Sequence, residues 1–148
     1  MKVPAAFILF LFILISCETR KSSPEITGTW QLISGTLIEK QDTTVTDYTK
    51  NKEFIKIINR THFAFLGHDL DKGKDSASFY SSGGGTYSLE GNSYTEHLEF
   101  CSDRAWEHND FQFTISLDAD TLIQRGVEKI EATGINRLNI EKYIRVKN

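Results

Sequence analysis

Proline and cysteine are nearly absent from this sequence. The two prolines are Pro4 and Pro24, so nothing after Ile26 breaks a run of extended backbone. The two cysteines are Cys17 and Cys101, too few for a disulfide-stapled scaffold. Charge of one sign is lacking as well: 17 basic residues face 20 acidic ones with no basic stripe, which argues against a nucleic-acid partner. Sustained helical periodicity and internal repeats are missing. So is a bilayer-length apolar run, since Val3 to Ile15 is only 13 residues and a spanning helix needs about 20.

That short run has another use. Met1-Lys2 supplies a positive start, Val3 to Ile15 an apolar centre, and Ser16 a small residue at its end, the layout of a cleaved secretory signal. The boundary Leu14-Ile15-Ser16-Cys17 resembles the bacterial lipobox. The resemblance implies cleavage before Cys17, lipidation of its thiol, and attachment through more than one acyl chain. Glu18, which is not aspartate, resembles the sorting pattern of outer-membrane lipoproteins. The chain is therefore divided into a signal peptide at 1–16, the lipidated Cys17 with a polar tether through 25, and one domain at 26–148. Losing Lys2 leaves 16 basic against 20 acidic residues, a net charge of −4. Cys101 is then the only thiol besides the anchor, and reads as a small buried hydrophobe.

From Ile26 the chain is rich in Thr, Tyr, Phe and Ile, in short alternating segments separated by Gly, Asn, Asp and Ser. Strands are expected at 28–37, 53–58, 62–66, 78–82, 86–90, 93–101, 110–117, 121–127 and 142–146. The run Gly83-Gly84-Gly85 reads as a flexible turn between two of them, and 128–141 as a loop with a helical turn near 136–140. Gly91-Asn92 suits a two-residue hairpin that sets Leu89 opposite Tyr94 and Tyr87 opposite Glu96. Tyr87, Leu89, Tyr94, Glu96, Leu98 and Phe100 then share the interior face, and His97 points to solvent. A turn at Ala119-Asp120 sets Leu117 opposite Leu122 and Ile115 opposite Gln124, with Phe111 and Phe113 on the same side. The pair 53–58 and 62–66 is apolar on both faces, so the pattern does not orient it.

Gly28-Thr29-Trp30 opens the first strand and Tyr143-Ile144-Arg145-Val146 lies in the last. This combination resembles the calycin signature, in which a Gly-x-Trp packs beneath a cation from the final strand. With Gly85-Thr86-Tyr87 and Gly91-Asn92-Ser93-Tyr94-Thr95-Glu96, the domain is similar to the lipocalin-like domains of Bacteroidetes-type lipoproteins of uncharacterised function. The resemblance implies an all-β fold: a single antiparallel up-and-down barrel of about eight to ten strands, closed by Gly28, Trp30 and Arg145 as structural residues.

Candidate chemistry concentrates on Glu96. A carboxylate on an apolar, tyrosine-flanked wall needs a partner, and burial raises its pKa. Tyr87, Tyr94, Glu96, Phe113 and Gln124 are the expected ligand contacts, and a small, mostly apolar molecule the expected ligand. The alternative is a filled barrel serving as an envelope interaction or inhibitor module, with Asp69–Asp75 or Trp106-Glu107-His108 as contacts. No catalytic constellation stands out, so an enzyme is not expected. Cofactors and metals are not expected either: His62, His68, His97 and His108 lack ligand spacing, the 69–75 loop departs from a calcium loop, and the glycine run lacks a phosphate-loop lysine. A monomer at the outer membrane of the cell envelope, tethered by lipid, is the working expectation.

Overall fold

Alternating side chains, period-two patterning and two tight turns build a sheet that closes on itself. The computed structural model describes residues 23–74 and 78–147. The expected signal at 1–16 and the expected lipidation site Cys17 lie outside the described residues. Nine antiparallel strands follow in order: β1 (Gly28–Glu39), β2 (Asp42–Asp47), β3 (Lys52–Ile58), β4 (His62–Asp69), β5 (Tyr80–Glu90), β6 (Ser93–Cys101), β7 (Asn109–Asp118), β8 (Thr121–Ile130) and β9 (Ile135–Arg145). Each of β3 to β8 pairs with the next, and β1 pairs with both β3 and β9, so eight strands form a closed up-and-down barrel.

β1 has two partners on its other edge. Gly28 to Gln31 pair with β3, while Ser34 to Glu39 pair with β2, which folds back on the upper half of β1 as a ninth strand outside the closed ring. Turns at 59–61, 91–92 and 119–120 gather at one end with the segment before β1. The longer connections gather at the other and form a mouth.

The end with the short turns is shut. Trp30 is fully buried, its indole nitrogen donates to the Ile26 carbonyl at 2.8 Å, and the Arg145 guanidinium lies 4.1 Å from its ring. Arg145 also donates to the carbonyls of Thr27 and Glu25. The end of the polar tether is fixed here: the Ser23 hydroxyl accepts from the Gly91 amide at 3.0 Å, in the turn between β5 and β6. Chain that reads as a tether is thus part of the folded body from Ser23 onward.

Both detailed hairpins have the expected register, Tyr87 opposite Glu96 and Ile115 opposite Gln124. Three expectations need correction. Gly83-Gly84-Gly85 is not a turn but the middle of β5, with β4 and β6 packed so closely that side chains would meet their backbones. Opposite Gly85, Glu99 is an extra residue that bulges β6, so the alternation reverses. Phe100 therefore faces outward, 69% exposed, and Cys101 turns inward to the cavity. Finally, 128–141 is not a loop with a helical turn at 136–140. β8 runs on to Ile130, a single 3-10 turn spans Glu131–Thr133, and β9 begins at Ile135. Its inward positions Arg137, Asn139 and Glu141 are polar, which inverts the usual pattern of a half-buried strand.

Candidate functional site

Above the closed end the barrel is not filled. Below lies a packed layer that includes Trp30, Leu32, Phe63, Tyr94, Ile115, Leu122 and Tyr143. Over it is a cavity of about 300 Å³, reaching up between β6, β7, β8 and β9. That volume is at the small end of the range for ligand sites.

Its floor is ionic. Lys56 reaches inward from β3, placing Nζ 2.6 Å from Glu96 Oε1 and 3.0 Å from Gln124 Oε1. Ile55 and Ile57, its neighbours, face outward, which explains why β3 reads as apolar on both faces. The ammonium also sits over the rings of Phe63 and Tyr143, at 5.6 and 5.4 Å. Burial pushes the Glu96 carboxyl above its ordinary range, and the Lys56 charge pulls it part of the way back. Glu141 joins the floor from β9 and accepts a hydrogen bond from the Tyr143 hydroxyl at 2.8 Å.

A second ionic group lines the upper wall. Glu128 accepts from Arg137 at 2.7 Å and from Asn139 at 2.7 Å, across the β8–β9 pair. Burial raises the Glu128 carboxyl, with Arg137 opposing. The Arg137 guanidinium lies over Trp106 at 5.0 Å, and Trp106 packs on Phe111 at 5.6 Å. Trp106 is thus a cavity wall held by the connection between β6 and β7, not an outward contact. Cys101 also faces the cavity, its thiol raised by burial.

The residues singled out in the sequence divide into two groups. Glu96, Phe113 and Gln124 line the cavity. Tyr87 and Tyr94 lie below it: the Tyr87 hydroxyl donates to the Asn59 carbonyl at 2.7 Å, and the two rings pack 5.3 Å apart. The Tyr94 hydroxyl is buried without a hydrogen-bond partner among the described residues, and burial with the nearby Glu96 charge raises its pKa strongly. Lys56, Glu128, Arg137 and Glu141 were missed. Their signal was a polar residue alternating with outward aliphatics, as at Leu138 and Ile140, which reads as a solvent-facing pattern until the sheet closes.

Among the described residues no group of three or more His, Cys, Asp or Glu side chains is gathered to hold a metal ion. Comparison with protein families, with characterised proteins and with solved structures gives no match.

Proposed function

We propose that this protein is a lipid-anchored binding protein of the cell envelope, whose barrel takes up a small molecule through its mouth. The observation that carries this reading is the cavity of about 300 Å³ with an ionic floor and aromatic walls. A barrel serving only as a scaffold gains stability by filling such a space, because an unfilled volume forgoes packing contacts. The mixed lining modifies the ligand expected from sequence: Lys56, Glu96, Gln124 and Glu141 suit a polar group, while Phe65, Phe111 and Trp106 suit an apolar body.

The anchor gives the barrel an orientation. Five residues separate Cys17 from Ser23, and Ser23 is bonded at the closed end. At about 3.5 Å per residue that segment reaches no more than roughly 20 Å. A lipid on Cys17 would hold the closed end toward the membrane and leave the mouth facing away from it. Capture from the aqueous side of the envelope fits this arrangement better than extraction from the bilayer.

The test is native mass spectrometry of the full chain purified from its own envelope. Wild type should carry a small-molecule adduct that Leu98→Trp, which fills the cavity, lacks. Intact mass should also show loss of 1–16 and gain of lipid on Cys17. If neither protein carries an adduct, the binding role fails.

The second reading, an interaction module, draws on one outer-surface feature. A shallow apolar groove runs over Ala64 and Gly84 between Leu66 and the exposed Phe100. Retention of an envelope partner by wild type but not by Phe100→Ser would favour it.

A further inference from the structure

The binding role leaves the ligand's polar group unspecified, and the unused valences of the floor address it. Lys56 can only donate, so the Gln124 atom facing it is the carbonyl oxygen, and the amide nitrogen is the other end. That nitrogen has no hydrogen-bond partner among the described residues, although Gln124 is 2% exposed and lines the cavity. It is not one of the fully buried orphan atoms, so it is open to the cavity and free to donate to an acceptor there.

Charge gives the second half of the argument. The cavity has two cations, and both are committed to carboxylates: Lys56 to Glu96 at 2.6 Å and Arg137 to Glu128 at 2.7 Å. Glu141, in the same wall, has no cation partner among the described residues; its one bond is from the Tyr143 hydroxyl. The wall is therefore one carboxylate in excess, before Asp103 at its upper edge is counted.

The chain also shows how this cavity holds a positive charge. Arg137 lies between the Glu128 carboxylate and the Trp106 ring, and Lys56 between Glu96 and the rings of Phe63 and Tyr143. Each cation has a carboxylate on one side and an aromatic face on another. Glu141 is the carboxylate whose cation is missing.

We infer that the cavity takes a small organic amine, its ammonium beside Glu141, a neutral acceptor atom facing the Gln124 amide, and its apolar body against Phe65, Trp106 and Phe111. This inference rests on the proposed binding role. Size limits the ligand: at roughly 30 Å³ per water-sized unit, a cavity of about 300 Å³ holds about ten heavy atoms. An anion of the same size would meet the excess carboxylate and is selected against.

Calorimetric titration of the purified full chain tests this with three probes that share a phenyl body and a hydroxyl acceptor: 2-amino-1-phenylethanol as the amine, 1-phenyl-1,2-ethanediol as the alcohol and mandelate as the carboxylate. The amine should bind at least tenfold more tightly than the alcohol, and the carboxylate most weakly. In Glu141→Gln the advantage of amine over alcohol should shrink to less than threefold. Equal binding of amine and alcohol, or tightest binding of the carboxylate, overturns the amine inference and leaves the binding role standing. Failure of all three probes to bind overturns the amine inference, while the binding role is decided separately by the adduct in native mass spectrometry. Should Glu141→Gln not fold, the order of the probes on wild type decides alone.

Discussion

Lys56 Nζ and Glu96 Oε1 meet 2.6 Å apart inside the barrel, on side chains 3% and 9% exposed. Such a pair holds both charges out of water, so removing one partner leaves the other uncompensated. Lys56→Met should cost about 3–5 kcal/mol, the range for breaking a buried pair. The double variant Lys56→Met/Glu96→Leu should recover most of that loss, since two apolar side chains of similar size leave no orphan charge. Urea unfolding of the four proteins of this cycle measures the coupling. Additive losses would show that the two residues act independently.

Glu128 should give the barrel a pH dependence whose sign follows from its burial. Burial raises its folded pKa above the ordinary 4.5. The folded state therefore binds its proton more readily than the unfolded chain. The stability this contributes is complete below about pH 4.5 and is lost as pH rises through the folded pKa. Asp47 acts oppositely: hydrogen bonds from Thr49 lower it from 3.8 to about 2, so its contribution is lost on acidification. Comparing wild type with Glu128→Gln cancels such other groups. The thermal midpoint of wild type should fall relative to that variant between pH 4.5 and 7.5, and a constant difference would contradict the assignment.

How far the sequence alone reached depends on which side of each strand was polar. The Gly91-Asn92 and Ala119-Asp120 turns fixed the register of β5 with β6 and of β7 with β8, because tight turns allow few pairings. Glu96 and Gln124 could therefore be placed inside. Lys56, Arg137 and Glu141 could not, since their strands put aliphatics outward and polar groups inward, and nothing local marks that reversal. Phe100 was misplaced for a different reason: the bulge at Glu99 depends on how closely β6 approaches Gly85, a long-range fact absent from either segment.

That close approach makes two glycines respond differently to the same substitution. A Cβ on Gly85 would overlap the His97 carbonyl oxygen and crowd the Glu99 amide, both backbone atoms in the bulge. Gly91, in the turn, has a positive φ of 59° and nothing within 4 Å of the added carbon. Gly91→Ala should cost only about 1 kcal/mol of backbone strain. Gly85→Ala should cost several times as much and shift β6, visible as changed amide chemical shifts from His97 to Cys101. Equal losses for the two variants would mean that the bulge tolerates displacement.

Gly28 and Arg145 are coupled at the closed end in a way that can be measured. A Cβ on Gly28 would lie 2.6 Å from Arg145 Nη1, and its φ of 145° is one that L side chains rarely adopt. Arg145→Ala should cost about 2–4 kcal/mol, through two lost charge-assisted hydrogen bonds and the stack on Trp30. Gly28→Ala in wild type brings both the clash and the backbone strain; in the Arg145→Ala background only the strain of about 1 kcal/mol remains. The double variant should therefore lose less than the sum of the two single losses. Arg145→Ala should also speed hydrogen exchange at Ile26 and Thr27, because their segment loses the guanidinium that holds its carbonyls. Strict additivity with unchanged exchange there would show that Trp30 and the Ser23 contacts close this end without Arg145.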